Sequence, residues 1–263
     1  MVKFGRWQRR GTLGLLLAAV LLLGACGGGS REPEFVERPV EELYNTAIDL
    51  AANRNFNGAA QAFEEVERQH PYSVWATRSM FMAAYSYYEA RRYDDAIIAA
   101  RRFVDFHPGN ENVPYALYLI GMSYYEQISD VGRDQQMTAD AQRAFTELVQ
   151  RYPDSDYARD ARLKLDLVRD HLAGKEMEVG RFYLNRRQYV AAINRFQVVI
   201  EQFQTTTHVP EALHRLVEAY TALGVRDEAY RYASVLGYNY PGSPWYERTY
   251  TLVLDDRLPP IRG

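Results

Sequence analysis

The chain has 263 residues, a formal net charge of −3 at neutral pH and a single cysteine. Residues 1–25 hold four of its 31 Lys and Arg residues, which leaves 27 of these cations against 34 Asp and Glu residues. This negative excess argues against nucleic-acid binding, because such proteins need a basic face to displace counterions from phosphate groups. No disulfide can form within a chain that has one thiol, so its stability must come from packing.

The first 26 residues predict a lipoprotein signal. Four Lys and Arg residues precede the apolar residues 13–23, a run too short to span a bilayer, which takes ~20 residues. The letters LGAC at residues 23–26 resemble the lipobox of bacterial lipoproteins. We therefore expect removal of residues 1–25 and acylation of Cys26, with this covalent lipid as the only prosthetic group. An ordinary secretory signal with an incidental cysteine, or a buried structural cysteine, is the alternative.

Residues 26–39 predict a flexible tether. They are rich in Gly, Pro and charged residues and show no apolar periodicity. Gly27 occupies the place where an Asp commonly retains lipoproteins in the inner membrane. This resembles an outer-membrane sorting signal and predicts a lipid-anchored protein on the periplasmic face of the outer membrane.

Five segments after the tether share one pattern. Small or apolar residues recur at positions 4, 7, 8, 11, 20, 24 and 27, except at position 4 of the fourth segment, and the last three of these positions come eight residues late in the third. Pro follows at the end of all but the fourth, which has Gln204. This is the pattern of the tetratricopeptide repeat, a pair of antiparallel helices that must stack on its neighbours to bury its apolar faces. The repeats start at Val40, Thr77, Pro114, Ala173 and Pro210. The sequence therefore predicts an all-α tetratricopeptide-repeat solenoid of five helix pairs.

The third repeat is interrupted, and a long helix is expected after it. Polar residues 127–138 delay the second helix of this repeat, and 14 further residues with helical periodicity precede the fourth repeat. We expect an N-terminal lobe at residues 40–155, followed by a connecting helix and C-terminal lobe at residues 156–263. A capping helix is predicted from Pro244 to Leu258.

No catalytic constellation is visible in the sequence. The five histidines have neither the HExxH pattern nor an i, i+4 spacing, so no metal site is expected. The GxSxG motif is absent, and a lipidated Cys26 leaves no cysteine nucleophile. The chain is therefore predicted not to be an enzyme.

The chain has 21 Tyr and 11 Phe residues, more than the core positions of five repeats require. Large apolar side chains also occupy positions of the first helices that line the inner groove in repeats of this type. We expect a groove for an extended peptide, because Tyr offers a large amphipathic surface at low entropic cost. The alternative is that these rings pack between repeats. Besides Tyr115, the predicted groove residues are Tyr44, Ile48, Phe81, Tyr85, Tyr88, Tyr118, Met122 and Tyr125.

The lipobox, the acidic tether, the interrupted third repeat and the letters RDQQ at residues 133–136 together resemble the BamD family. Its members are lipoproteins of the outer-membrane β-barrel assembly (Bam) complex. The resemblance implies that the N-terminal lobe binds unfolded outer-membrane proteins, including a C-terminal signal that ends in an aromatic residue. It also implies that the C-terminal lobe binds the periplasmic domains of the barrel subunit BamA, with the lipoprotein BamC alongside.

The resemblance assigns one further residue. Arg195 matches an arginine linked with communication to the barrel subunit, although an arginine on a helix surface needs no such role. Gln204, where Tyr-Pro is usual, departs from the family pattern and leaves the angle after the fourth repeat open. The competing interpretation is a different tetratricopeptide lipoprotein, an adaptor for a pilus secretin or for murein hydrolases.

Overall fold

A computed structural model describes residues 37–253 of the chain. All regular structure in this range is helical, and successive helices pack against one another, which confirms the predicted all-α helix-pair fold. The eleven helices of this range are α1 (Val40–Ala52), α2 (Phe56–Gln69), α3 (Val74–Glu89), α4 (Tyr93–Phe106), α5 (Val113–Tyr125), α6 (Gln136–Arg151), α7 (Asp156–Asn185), α8 (Tyr189–Gln202), α9 (Val209–Leu223), α10 (Arg226–Asn239) and α11 (Pro244–Leu252).

Several predictions concern residues that lie partly or wholly outside this range. The signal peptide, Cys26 and most of the tether lie outside the described residues. The predicted capping helix is present as α11, and the last residues of its predicted span also lie outside. Within residues 37–253, no helix is both long and apolar enough to cross a membrane.

The predicted prolines mark the ends of helix pairs. Each follows the residue that ends the second helix of its pair, with φ between −130° and −135° and ψ between 50° and 59°. Phe203 adopts nearly the same backbone, with φ −125° and ψ 42°, although Gln204 follows it. The turn after the fourth repeat therefore keeps the conformation of the others without a proline.

The turns inside the helix pairs also repeat one geometry. A residue with positive φ, between 58° and 77°, ends the first helix of four pairs. The amide that follows it donates to the carbonyl five residues earlier at 2.9–3.0 Å. This is the Schellman arrangement, which satisfies the last free carbonyls of a helix. The four residues are Arg54, Arg91, Arg187 and Gly224. The third pair instead has the predicted insertion between α5 and α6.

Helix α7 is 30 residues long and belongs to two sets of buried contacts. Ala158 and Val168 pack with the helices that precede α7, whereas Ala173 and Met177 pack with those that follow it. At 1.5 Å per residue the helix extends about 45 Å. The change of partners falls between Leu172 and Ala173, in the middle of the predicted connecting helix.

Candidate functional site

Aromatic side chains of α3, α5 and the start of α7 form one continuous cluster. Ring contacts join Phe81, Tyr115, Tyr118 and Tyr157, and the phenols of Tyr85 and Tyr88 lie near that of Tyr115. We call these six residues the tyrosine face. Tyr115 joins the three helices, because its ring centroid lies 5.6 Å from that of Phe81 and 4.9 Å from that of Tyr157. The ring centroids of Tyr118 and Tyr157 are 5.7 Å apart. The helices pack in this order, α3 on α5 and α5 on α7.

The tyrosine face remains open to solvent. Tyr157 is 39% exposed, and the other five rings are half-buried. Ring pairs in tilted arrangements at 4.9–5.7 Å stabilise one another by about 1 kcal/mol beyond simple burial. The face is thus held in place by contacts among its own rings while it keeps aromatic surface available to a ligand.

Burial raises the pKa of three phenols of this face, those of Tyr88, Tyr115 and Tyr118. Burial, followed by neighbouring phenols and Glu89, raises the pKa of Tyr115 to about 12. Burial and then Glu126 likewise raise the pKa of Tyr88 to about 12. Burial also raises the pKa of Tyr118, whose hydroxyl donates a 2.6 Å hydrogen bond to Asp160. The face therefore presents hydroxyl donors and aromatic rings, bordered by carboxylates.

Two of the predicted groove residues are buried instead of lining an open surface. Tyr44 is 5% exposed, and its ring lies 4.6 Å from Trp75 and 5.7 Å from Phe63. Met122 is 9% exposed and belongs to the core around α5. Both side chains fill the interior between repeats, which was the alternative stated for the aromatic surplus. They offer little surface to a ligand.

The remaining predicted groove residues border the tyrosine face or lie away from it. Ile48 is half-buried against the core of the first repeat. Tyr125 follows Tyr118 along α5, and the Lys164 ammonium lies 5.1 Å from the centroid of its ring. Four predicted residues, Phe81, Tyr85, Tyr88 and Tyr118, belong to the face itself.

Tyr157 was missed as a groove candidate. A sequence pattern could have identified it, because an aromatic residue followed by alanine occurs early in three helices, as Trp75-Ala76, Tyr115-Ala116 and Tyr157-Ala158. The alanine of each pair is buried. The first part of α7 was interpreted only as a connector. In the structure it also packs against α5 as the next helix of the same face, which brings Tyr157 to the cluster.

Arg195 lies on α8 and bridges to α7. Its Nη1 donates to Glu176 Oε2 at 3.1 Å, and its side chain is 45% exposed. Two adjacent shallow hollows lie beside it, and the exposed Val190 and Leu223 line one of them. This surface therefore combines exposed apolar side chains with a partly accessible guanidinium group.

The insertion in the third repeat packs beside α7. Lys175 Nζ donates to the carbonyl of Gly132 at 3.0 Å, and Asp170 Oδ1 accepts from the backbone N–H of Thr207 at 3.0 Å. The insertion and the residues after Phe203 thus contact the same helix and enclose a cleft of 710 Å³ with it. Within residues 37–253, no group of three or more His, Cys, Asp or Glu side chains is arranged to hold a metal ion.

Comparison with protein families identifies the chain. Residues 36–236 match the family model YfiO, described as an outer membrane lipoprotein. The chain belongs to this YfiO family. The match covers most of the tetratricopeptide-repeat region described above. Membership in this family, whose curated relatives are named assembly factors, confirms the prediction of a non-catalytic protein.

Curated relatives of this YfiO chain carry one name, outer membrane protein assembly factor BamD. That of Caulobacter vibrioides is 50% identical over 256 residues, which cover 95% of this chain and 84% of the relative. That of Rickettsia prowazekii is 44% identical over 241 residues, with coverage of 90% and 96%. The Neisseria meningitidis serogroup A protein is 36% identical over 244 residues, with coverage of 89% and 91%. These relatives confirm the resemblance to the BamD family.

Solved structures similar to this YfiO chain include tetratricopeptide-repeat domains of low sequence identity. The P58(IPK) domain is 13% identical, with a TM-score of 0.43 and coverage of 83% of this chain and 56% of that one. The TPR2AB domain of yeast Sti1, in a complex with pHSP90, is also 13% identical. Its TM-score is 0.41, and the match covers 82% of this chain and 83% of that domain's chain.

Proposed function

We propose that this protein is a lipid-anchored scaffold of the outer-membrane β-barrel assembly complex. It binds unfolded outer-membrane proteins with its N-terminal repeats and the barrel subunit BamA with its C-terminal repeats. The observation that carries this proposal is the 50% identity, over 95% of the chain, to a protein named outer membrane protein assembly factor BamD.

The anchor is a lipid on Cys26, in the inner leaflet of the outer membrane. Several acyl chains on one residue make such an anchor effectively permanent, because each buried methylene contributes ~0.8 kcal/mol. Residues 26–39 then tether the folded repeats to the periplasmic face. Replacing Cys26 by Ser should release the protein into the soluble periplasmic fraction.

The tyrosine face is the substrate site in this proposal. An unfolded outer-membrane protein exposes extended segments in which aromatic side chains alternate with polar ones, as its future strands require. Half-buried rings held by one another at 4.9–5.7 Å form a preorganised surface for such side chains. Release needs no nucleotide, because barrel closure in the membrane satisfies all strand hydrogen bonds and makes insertion downhill.

The surface around Arg195 is the dock for the periplasmic domains of BamA. Exposed Val190 and Leu223 supply apolar contact area, and they are 63% and 43% exposed. The Arg195 guanidinium supplies a charged contact that an acidic residue of the partner would complete. We place this dock in a C-terminal lobe that begins along α7 and is separate from the N-terminal lobe at residues 40–155, with BamC alongside.

Membrane co-purification from the native cell tests both halves of the proposal. A variant with Arg195→Glu and Val190→Asp should lose the barrel subunit but still retain unfolded outer-membrane proteins. A variant with Tyr118→Ser and Tyr157→Ser should show the opposite loss. Arg159→Glu is the matched control, since Arg159 is 77% exposed and pairs only with its helix neighbour Asp156 among described residues.

The identity of the recovered partner decides the function. Recovery of a β-barrel protein with periplasmic domains from wild type, and its loss from the Arg195 variant, supports the proposal. Recovery of a pilus secretin or a murein hydrolase instead would overturn it.

A further inference from the structure

Three carboxylates border the tyrosine face. Glu89 and Glu126 come just after Tyr88 and Tyr125 at the ends of α3 and α5, and Asp160 lies one turn after Tyr157 on α7. Asp160 accepts the hydrogen bond of Tyr118, whereas Glu89 and Glu126 are exposed. In the described part of the chain, none of the three has a Lys, Arg or His within salt-bridge distance.

This border gives the tyrosine face a negative character. The raised pKa values of Tyr85, Tyr88, Tyr115 and Tyr118 agree with this, because the causes beyond burial are these carboxylates and other phenols. Elsewhere an arginine lies close to a tyrosine and acts in the opposite direction, as Arg78 does on Tyr44. A peptide carboxylate at the tyrosine face would therefore be repelled, while a cation would be attracted.

The rings favour a cation as well. An ammonium or guanidinium group within about 6 Å of a Tyr centroid is attracted by the electrons of the ring. Lys164 already makes such a contact with Tyr125, at the edge of the face. A ligand that brings one aromatic side chain and one cation would use both features of this surface, its rings and the exposed carboxylates of Glu89 and Glu126.

We propose that the tyrosine face recognises an internal extended segment in which an aromatic residue is followed two positions later by Lys or Arg. In a strand, residues two apart point to the same side, about 7 Å from each other. The aromatic ring then packs on Tyr115 and Tyr118, and the cation faces Glu89 and Glu126 beside Tyr88. This inference rests on the proposed function and specifies the class of substrate segment, for which no free C-terminal carboxylate is needed.

Peptide binding to the full lipoprotein in detergent micelles tests this substrate class. The probes are fluorescein-labelled, C-terminally amidated peptides of sequence Thr-Ser-Phe-Thr-Arg-Ser-Thr, with Glu in place of Arg in the second. Fluorescence anisotropy should show the Arg peptide binding about five- to tenfold more tightly at low salt, as expected for two exposed charge pairs. The preference should shrink in 1 M salt, where the Debye length is about 3 Å.

Charge-removing variants identify the carboxylates that cause the preference for the Arg peptide. Glu89→Gln with Glu126→Gln should remove most of the preference for the Arg peptide. Glu41→Gln with Glu42→Gln, the same charge change at exposed residues of α1, should preserve it.

The outcomes separate this inference from the proposed function. Equal affinity for both peptides, no measurable binding, or an unchanged preference in the Glu89 and Glu126 variant overturns the inference. Equal binding that is lost in the Tyr118→Ser and Tyr157→Ser variant would leave the tyrosine face as a substrate site without charge selection. Failure of the co-purification experiment would overturn the function itself.

Discussion

Two glycines make room for phenylalanine rings inside helix pairs. A Cβ atom added to Gly121 would lie 2.4 Å from Phe145 Cε1, and one added to Gly180 would lie 2.4 Å from Phe196 Cε1. Both rings are completely buried. These glycines occupy position 8 of their repeats, and the phenylalanines occupy position 24 when the eight inserted residues of the third repeat are left out of the count. The small residue at position 8 is therefore a steric requirement of the third and fourth pairs.

Gly121→Ala should destabilise the protein by about 1–3 kcal/mol, the usual cost of overpacking a core. This loss has to exceed the ~1 kcal/mol by which Ala favours a helix over Gly. Urea unfolding followed by circular dichroism measures the difference. Gly109→Ala is the control, because a Cβ there meets no atom within 4 Å. An unchanged or increased free energy of unfolding for Gly121→Ala would contradict the packing argument.

The raised pKa values of the tyrosine face predict a loss of stability in alkali. The phenols of Tyr88 and Tyr115 have a pKa of about 12 in the folded protein, against an ordinary value of 10.0. Between these values the folded protein keeps protons that the unfolded chain has released. Its stability is therefore complete below pH 10 and should fall as the pH rises to 12.

Unfolding measured across this pH range, with tyrosinate absorbance at 295 nm, checks the effect. Replacing Tyr88 and Tyr115 by Phe should make the fall of stability less steep, because two of the protons involved are gone. Tyr72→Phe serves as the control, since Tyr72 is fully exposed. A fall equally steep in both variants would rule out the tyrosine face as its source.

At the scale of elements, α7 is braced by two segments that are far apart in sequence. Asp170 receives hydrogen bonds from the Thr207 amide at 3.0 Å and from its hydroxyl at 2.7 Å. Lys175 reaches the Gly132 carbonyl in the insertion. The two contacts lie five residues apart, beside the point where the buried partners of α7 change. The insertion and the turn before α9 thus support the middle of a long helix.

Asp170→Ala should loosen the turn before α9. It removes both hydrogen bonds to Thr207, which predicts a loss of about 1–2 kcal/mol and faster amide exchange at residues 205–208. Hydrogen exchange followed by mass spectrometry measures the exchange rates of amides in the turn before α9 and in the insertion of the third repeat. Asp166→Ala on the same helix is the control, because the nearest basic nitrogen, on Arg169, is 4.0 Å away. Equal exchange in both variants would contradict the proposed brace.

At the scale of the whole molecule, the described chain contains buried clusters that α7 connects. The clusters before and after Leu172 each include several helices, and α7 contributes to both. Buried His214 also holds α11 to α9, with its Nδ1 2.7 Å from Thr249 Oγ1 and its ring against Trp245. The predicted cap is therefore anchored by a specific polar contact in addition to apolar burial.

The sequence alone determined the helices, their pairing and the interrupted third repeat. These features follow from local rules: apolar periodicity, prolines at helix ends and the steric need for small residues recur in each repeat. The residues that specify them lie close together in the chain, so the pattern can be read without knowledge of the fold.

Tertiary structure decided which aromatic residues share a surface. Periodicity places both Tyr44 and Tyr118 on the first helix of a repeat. In the structure, Trp75 and Phe63 cover the ring of Tyr44, whereas Tyr118 joins Tyr157 on the tyrosine face. The approach of α7 to α5 brings together residues 39 positions apart, and no local pattern specifies that distance. The sequence thus limits the candidates, whereas long-range packing selects those that solvent and a ligand can reach.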